Sequence, residues 1–197
     1  MRAKLIIVPY INIYMETTLI TETGRCGTTF LIKIFSFLNF NTGFNKDNYK
    51  NSIFSNGCNT GMERYYNDNY YILKNPEFME NIENIVKDKS IKIKNVIIPI
   101  RDLKLSAKSR VKYGNEVGGL WKAEDELSQI EFYKKILLNY ILISTKYDIN
   151  TIFLDFDKMI SDKIYLYNKL KNILDEKNID LETFSNVYNE ATICSKP

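Results

Sequence analysis

Apolar positions along the chain follow two rhythms. Thr17-Thr-Leu-Ile20 is a short β-like run, whereas Phe30, Leu31, Ile34, Phe35 and Leu38 recur at the three-and-four spacing of a helix face. The same alternation continues to the C-terminus. It predicts a strand over 17–21, a helix over 28–38, irregular chain over 39–68, a strand over 70–73, a helix over 76–87, a strand over 95–100 and a helix over 104–112. A loop over 113–123, a helix over 125–146, a strand over 151–154 and helices over 162–175 and 181–190 complete the order. Asn75-Pro76 reads as an N-cap followed by the first helical residue. Ser161 reads as the cap of the helix carrying Ile164, Leu166 and Leu170, and Gly114 as the stop after 104–112. Strands alternating with helices argue for an α/β fold, a three-layer sandwich with a central parallel sheet and right-handed crossovers.

The 197 residues suit one domain with a full core, and no repeat or low-complexity linker divides them. Residues 1–14 read either as an added edge strand or as an extension ahead of a start at Met15. Leu5-Ile-Ile-Val8 is too short to span a bilayer and lacks a small-residue cleavage site. Residues 41–68 are rich in Asn, Gly, Asp and Tyr. A connection of that length either lines a functional pocket, here that of an acceptor, or is a surface insertion.

Composition narrows the chemistry. A net charge of +3 is too small for a nucleic-acid binder that works by neutralising phosphates. With no histidine, His-based catalysis is excluded and zinc is not expected. Cys26, Cys58 and Cys194 have neither metal-site spacing nor an even count for a disulfide framework, which points to reduced thiols and a cytoplasmic setting.

Thr21-Glu-Thr-Gly-Arg-Cys-Gly-Thr-Thr-Phe30 joins the first strand to the first helix. A strand, a Gly-containing turn and a Thr-Thr helix start make an anion cradle, because helix-start N–H groups lack internal partners and the macrodipole is positive there. Arg25 adds a planar cation able to fork onto oxyanions. A nucleotide-hydrolysing P-loop would carry Lys between its last Gly and Thr; here Gly27 meets Thr28 directly. A second segment, Asn95-Val-Ile-Ile-Pro-Ile100, reads as a buried strand that delivers Arg101, with Ser109 eight residues later on the next helix. An Arg at a strand end with a Ser eight residues later resembles the 3′-phosphate signature of sulfotransferases, and the resemblance implies that guanidinium and hydroxyl converge on one phosphate beyond the strand ends. Ser106 does not have that spacing.

These two segments resemble the signatures of sulfotransferases. Arg25-Cys-Gly-Thr-Thr-Phe-Leu31 is similar to the 5′-phosphosulfate loop, with Cys26 where Ser is usual, and Arg101 with Ser109 to the 3′-phosphate signature. A thiol donates more weakly than a hydroxyl, so one side-chain contact to the phosphosulfate is weakened. Blocks at 41–44, 61–63, 72–76, 98–103, 106–110, 118–121, 154–156 and 164–166 extend the likeness to a bacterial and phage sulfotransferase-like family over roughly residues 17–172. The Arg-Lys-Gly element that cytosolic members add near the C-terminus is not visible.

The resemblance implies a P-loop-type sulfotransferase fold and 3′-phosphoadenosine 5′-phosphosulfate as sulfuryl donor, without a metal. It implies donor contacts from Arg25, Cys26, Gly27, Thr28, Thr29, Phe30, Arg101 and Ser109, with Phe30 either near the adenine or in the core. It places Lys74 against the bridging oxygen. The acceptor would be a hydroxyl or amine, a carbohydrate among the options. Cytosolic relatives place a His base where this chain has Pro76, so a carboxylate must serve: Glu63 first, within Gly61-Met-Glu63, then Glu77, Glu22 and Asp47. Asp102 and Arg110 read as local structural residues, and Trp121 as either a cover for the site or a packing residue. Two other readings stand beside this one. A P-loop nucleotide kinase or hydrolase rests on Asp155 alone as a magnesium ligand. A non-catalytic nucleotide-binding module would keep Arg25, Arg101 and Ser109 without a working base.

Overall fold

The computed structural model describes residues 16–52, 61–88, 91–114 and 118–193. Residues 1–14, Cys58 and Cys194 lie outside the described residues, so the readings placed on them are not addressed. Four strands, β1 (Glu16–Ile20), β2 (Ile72–Lys74), β3 (Lys92–Ile100) and β4 (Thr151–Asp155), form one all-parallel sheet in the order β2-β1-β3-β4. The helices are α1 (Thr28–Phe37), α2 (Phe78–Lys87), α3 (Leu103–Val111), α4 (Glu126–Lys146), α5 (Phe156–Ser161), α6 (Lys163–Asp175) and α7 (Leu181–Ile193).

Successive strand residues point to opposite faces of a sheet. Leu19, Leu73, Val96 and Ile98 pack with α2, α3 and α4, whereas Ile20, Ile72, Ile97 and Leu154 pack with α1, α5, α6 and α7. Helices therefore cover both faces, which is why the central strand β3 reads as a continuous apolar run from Val96. Its first residues hid from the periodicity because they are charged: Lys92 and Lys94 pair with Glu16 at 2.6 and 3.7 Å.

Two predicted caps are displaced. Asn75-Pro76 precedes the helix rather than opening it. Asn75 Oδ1 accepts from Glu77 N–H at 2.9 Å, forming a turn, and α2 begins only at Phe78. Ser161 is the last residue of α5, and Asp162 caps α6 instead, accepting from Ile164 N and Tyr165 N, each at 2.9 Å. Gly114, with φ +54°, does close the turn after α3, its N–H bonded to Val111 O at 3.0 Å. The described parts of 41–68 are anchored by a few buried residues, while Asn45–Asn48 are exposed. Phe44, Tyr49 and Met62 are buried, a short 3₁₀ turn spans Tyr49–Ser52, and the Arg64 guanidinium lies 4.1 Å from the Phe44 ring and 5.0 Å from that of Tyr70.

From β1 the chain moves to β2 on one side, then returns past β1 to β3 and β4 on the other. The carboxyl ends of β1 and β3 thus flank the point where strand order reverses, the usual ligand crevice of open α/β sheets.

Candidate anion-binding site

The segment after β1 is fixed by its own polar side chains. Thr21 Oγ1 donates to Pro76 O and accepts from Met79 N–H, both at 3.0 Å, tying the loop to the start of α2. Glu22, 7% exposed, accepts the Cys26 N–H at 2.8 Å and so closes the loop on itself. Arg25 takes φ +57° and Gly27 φ +82°, both left-handed. Gly27 must also be bare: a Cβ there would lie 2.8 Å from Met159 Cε and 3.1 Å from Phe156 Cε2. Gly27 occupies the N-cap of α1 and supplies no side-chain cap, so the positive end of a ten-residue helix opens toward the crevice.

Across the crevice, β3 and α3 deliver the second segment. Arg25 Nε donates to Ser109 Oγ at 3.2 Å, and Arg101 Nη1 donates to the Arg25 carbonyl at 3.2 Å. Each guanidinium rests on a ring, Arg25 4.8 Å from Tyr113 and Arg101 4.7 Å from Phe156. Arg101 Nε is buried with no hydrogen-bond partner, and Arg101 has no carboxylate within ion-pair distance among the described residues. Two guanidiniums thus brace the loop that leads into α1, an arrangement whose charge suits an anion.

Lys74 ends β2 directly beside Ile20 of β1. Only 2% exposed, its Nζ donates to Glu63 Oε1 at 2.5 Å and to Gly61 O at 3.0 Å. The same Glu63 oxygen accepts Gly61 N–H at 3.1 Å. The two residues singled out separately as cation and base thus form one partly buried pair, one strand away from the loop.

Other site expectations fall differently. Cys26 turns inward rather than toward the crevice. Fully buried, it donates to Gly24 O at 3.0 Å, and its N–H is committed to Glu22, so neither group is directed at an anion. Burial, followed by the charge of Glu22, pushes its thiol up to about 11. Ser106 lies under the loop, 3.8 Å from Cys26 Sγ, while Ser109 meets Arg25. Thr28 and Thr29 open α1 and are buried. Phe30 belongs to the core, its ring edge-on to Tyr188 at 5.4 Å. Trp121 packs edge-on against Phe132, its backbone held by Gln129 at both N–H and C=O. Glu77 and Asp47 are exposed. Asp102 caps α3 and Asp155 caps α5, accepting Leu105 N–H at 2.8 Å and Lys158 N–H at 2.9 Å. Among the described residues, no group of three Cys, Asp or Glu side chains is placed to hold a metal ion.

Arg110 and Tyr133 were not legible as site residues. Arg110, 8% exposed, donates to Gly119 O at 2.5 Å and lies 5.4 Å from the Trp121 ring. Tyr133 is fully buried in α4; burial pushes its hydroxyl up to about 12, with the Arg110 charge pulling the other way. A Cβ on Gly24 would sit 2.7 Å from Arg110 Nε, Arg110 Nη2 and Tyr133 Oη, so these polar atoms form the floor of the loop. The available signal was a helical one. Arg110 follows Ser106 by four residues and shares its inward face.

Comparison of the chain with protein-family models, with curated proteins and with solved structures gave no match.

Proposed function

We propose that the protein is a sulfotransferase, built on the P-loop-type three-layer α/β fold, that moves a sulfuryl group from 3′-phosphoadenosine 5′-phosphosulfate to a hydroxyl or amine acceptor, a carbohydrate hydroxyl being one option. One observation carries the reading. The two segments that resemble the 5′-phosphosulfate and 3′-phosphate signatures, far apart in sequence, meet at the switch point through Arg25, Ser109 and Arg101, with bonds of 3.2 Å. The chemistry of these groups fits a donor with a phosphate at each end. The α1 N-terminus and Arg25 suit the 5′ end, and Arg101 with Ser109 suits the 3′-phosphate.

In the transfer, a bond forms between the acceptor oxygen or nitrogen and sulfur as the bond from sulfur to the 5′-phosphate oxygen breaks. The acceptor proton goes to a base, and adenosine 3′,5′-bisphosphate departs. Arg25 and Lys74 would neutralise charge appearing on that phosphate, and Glu63 would take the proton. The Lys74–Glu63 contact supports placing these two tasks beside each other. A thermal-shift series with adenosine 3′,5′-bisphosphate, ATP and GDP tests the reading, because a ligand of the native state raises apparent stability by mass action. The bisphosphate should stabilise the protein well above ATP. A shift with Mg-ATP and none with the bisphosphate would favour a nucleotide kinase or hydrolase.

A further inference from the structure

Helix α3 has two faces of opposite character. Ser106, Ala107 and Arg110 are buried, and Ser109 meets Arg25. The outer face carries Lys104, Lys108 and Lys112, all exposed, beside the half-exposed Leu105 and Val111. At 3.6 residues per turn these five fall within about 120° of the helix surface. Lys112, the C-cap, keeps helical backbone angles and so continues the row.

The fold alone does not account for this face. α3 contains no acidic residue, and the carboxylate just ahead of it, Asp102, caps the helix by accepting the Leu105 N–H at 2.8 Å. None of the three lysines has a carboxylate within ion-pair distance among the described residues. Other surface lysines do: Lys92 lies 2.6 Å from Glu16, Lys122 2.5 Å from Glu80 and Lys171 2.8 Å from Asp175. Like charges four residues apart on a helix repel, and Lys104 stands in the first turn, where the macrodipole disfavours a cation. Local stability therefore argues against the row, and an anion lying along the helix reverses each of these effects.

Position ties the row to the anion site. Lys112 Nζ is 5.9 Å from the centre of the Tyr113 ring, and the Arg25 guanidinium is 4.8 Å from the same ring. The three lysines span about 12 Å of helix, more than one small anion covers. The partner is thus a chain with repeated charges. A net charge of +3 argues against a nucleic acid, and two apolar side chains are too few for an interfacial helix on a lipid surface. We propose that the outer face of α3 docks an acidic polysaccharide, whose carboxylates pair with Lys104, Lys108 and Lys112 beside the crevice. Taking that polysaccharide as the sulfuryl acceptor rests on the sulfotransferase reading; the docking itself does not.

Calorimetric titration with polygalacturonate tests the docking. Three proteins are compared: wild type, Lys104→Gln/Lys108→Gln/Lys112→Gln, and Lys134→Gln/Lys135→Gln/Lys171→Gln, which removes the same charge from other helices. Wild type should bind polygalacturonate but not neutral dextran, and more weakly as salt is raised. The α3 variant should bind about ten-fold more weakly, the combined worth of three exposed ion pairs, and the control variant nearly as wild type does. Equal losses in the two variants, or no binding of polygalacturonate by wild type, would overturn the proposal. So would tighter binding of an oligonucleotide or of phosphatidylserine vesicles through the same three lysines. Failure of wild type to bind adenosine 3′,5′-bisphosphate, with polygalacturonate binding intact, would instead overturn the proposed function and leave the docking surface standing.

Discussion

At the residue scale, the proposed function depends on a small number of charged side chains whose surroundings differ. Arg101 is half-buried, rests on Phe156, donates to the Arg25 carbonyl and keeps an unpartnered Nε, so its removal takes away a charge-assisted donor. Arg101→Ala should weaken adenosine 3′,5′-bisphosphate by about 2–3 kcal/mol, the range for such a contact, while barely changing affinity for adenosine 5′-phosphosulfate. Competitive titration of the two nucleotides checks this. Equal losses would mean that Arg101 does not read the 3′ end. Glu63 is tied to Lys74, and Glu63→Gln preserves size while removing the proposed proton acceptor. Turnover should fall by about 10²–10⁴ with bisphosphate affinity retained. Normal turnover would move the role of base to another carboxylate. Glu77 and Asp47 are exposed, and Glu22 is already engaged by Cys26 N–H, so Glu63 remains the best placed of the four. Cys26 gives a third test. Buried, with its thiol pushed up to about 11, it should escape alkylation at pH 8 in the native protein and react after denaturation. Peptide mapping of native protein treated with iodoacetamide would show Cys26 labelled if the inward orientation were wrong.

At this scale the sequence reveals what lies in one loop or at one spacing. Arg25 was legible from the Gly-Thr-Thr loop it opens, and Arg101 and Ser109 from a strand end and the residue eight positions beyond it. The inward turn of Cys26 was not, because it depends on Gly24 O and Ser106, and Arg110 and Tyr133 were not, because their contact with Gly24 spans three elements.

At the element scale, strands and long helices were readable from periodicity, and the short pieces were not. α5 has six residues, too few for a helical face to declare itself. It nevertheless closes the crevice, bringing Phe156 to Arg101 and Met159 to Gly27. The two Asp caps that bracket it, Asp155 and Asp162, turn the chain from β4 into α5 and from α5 into α6. Asp162→Ala should cost about 1 kcal/mol in denaturant unfolding, the usual worth of such a cap, and Ser161→Ala much less. The reverse order would restore Ser161 as the cap. Helix caps also set an acid limit. Asp125 is held below its ordinary value by hydrogen bonds from the Ser128 side chain and backbone, and Asp180 by the Thr183 backbone and side chain. A carboxylate whose pKa is lowered on folding stabilises the protein above its unfolded pKa and loses that contribution as pH falls through the folded one. Melting temperature should therefore be flat with respect to these groups near neutrality and decline below about pH 4. Asp125→Asn, which can still cap, should lessen the decline.

At the scale of the whole molecule, the order β2-β1-β3-β4 explains why two distant segments share one site: each follows a strand whose neighbour is the other. A parallel sheet was foreseeable from alternating strands and helices, but the strand order, and with it the adjacency of β1 and β3, was not, since no local pattern states which strand lies beside which. The path of the chain over 39–52 and 61–70, folded along the β2 edge, was hidden for the same reason. No helix among the described residues is long and apolar enough to cross a membrane. Because protein cations face the crevice, sulfuryl transfer should continue in excess EDTA; strict dependence on a divalent ion in that assay would count against the mechanism. In the proposed function the nucleotide bridges β1 and β3, and a crystal structure with adenosine 3′,5′-bisphosphate would show this. The 5′-phosphate should lie at the N-terminus of α1 beside Arg25, and the 3′-phosphate between Arg101 and Ser109. A nucleotide bound elsewhere, or one whose 3′-phosphate touches neither Arg101 nor Ser109, would contradict it.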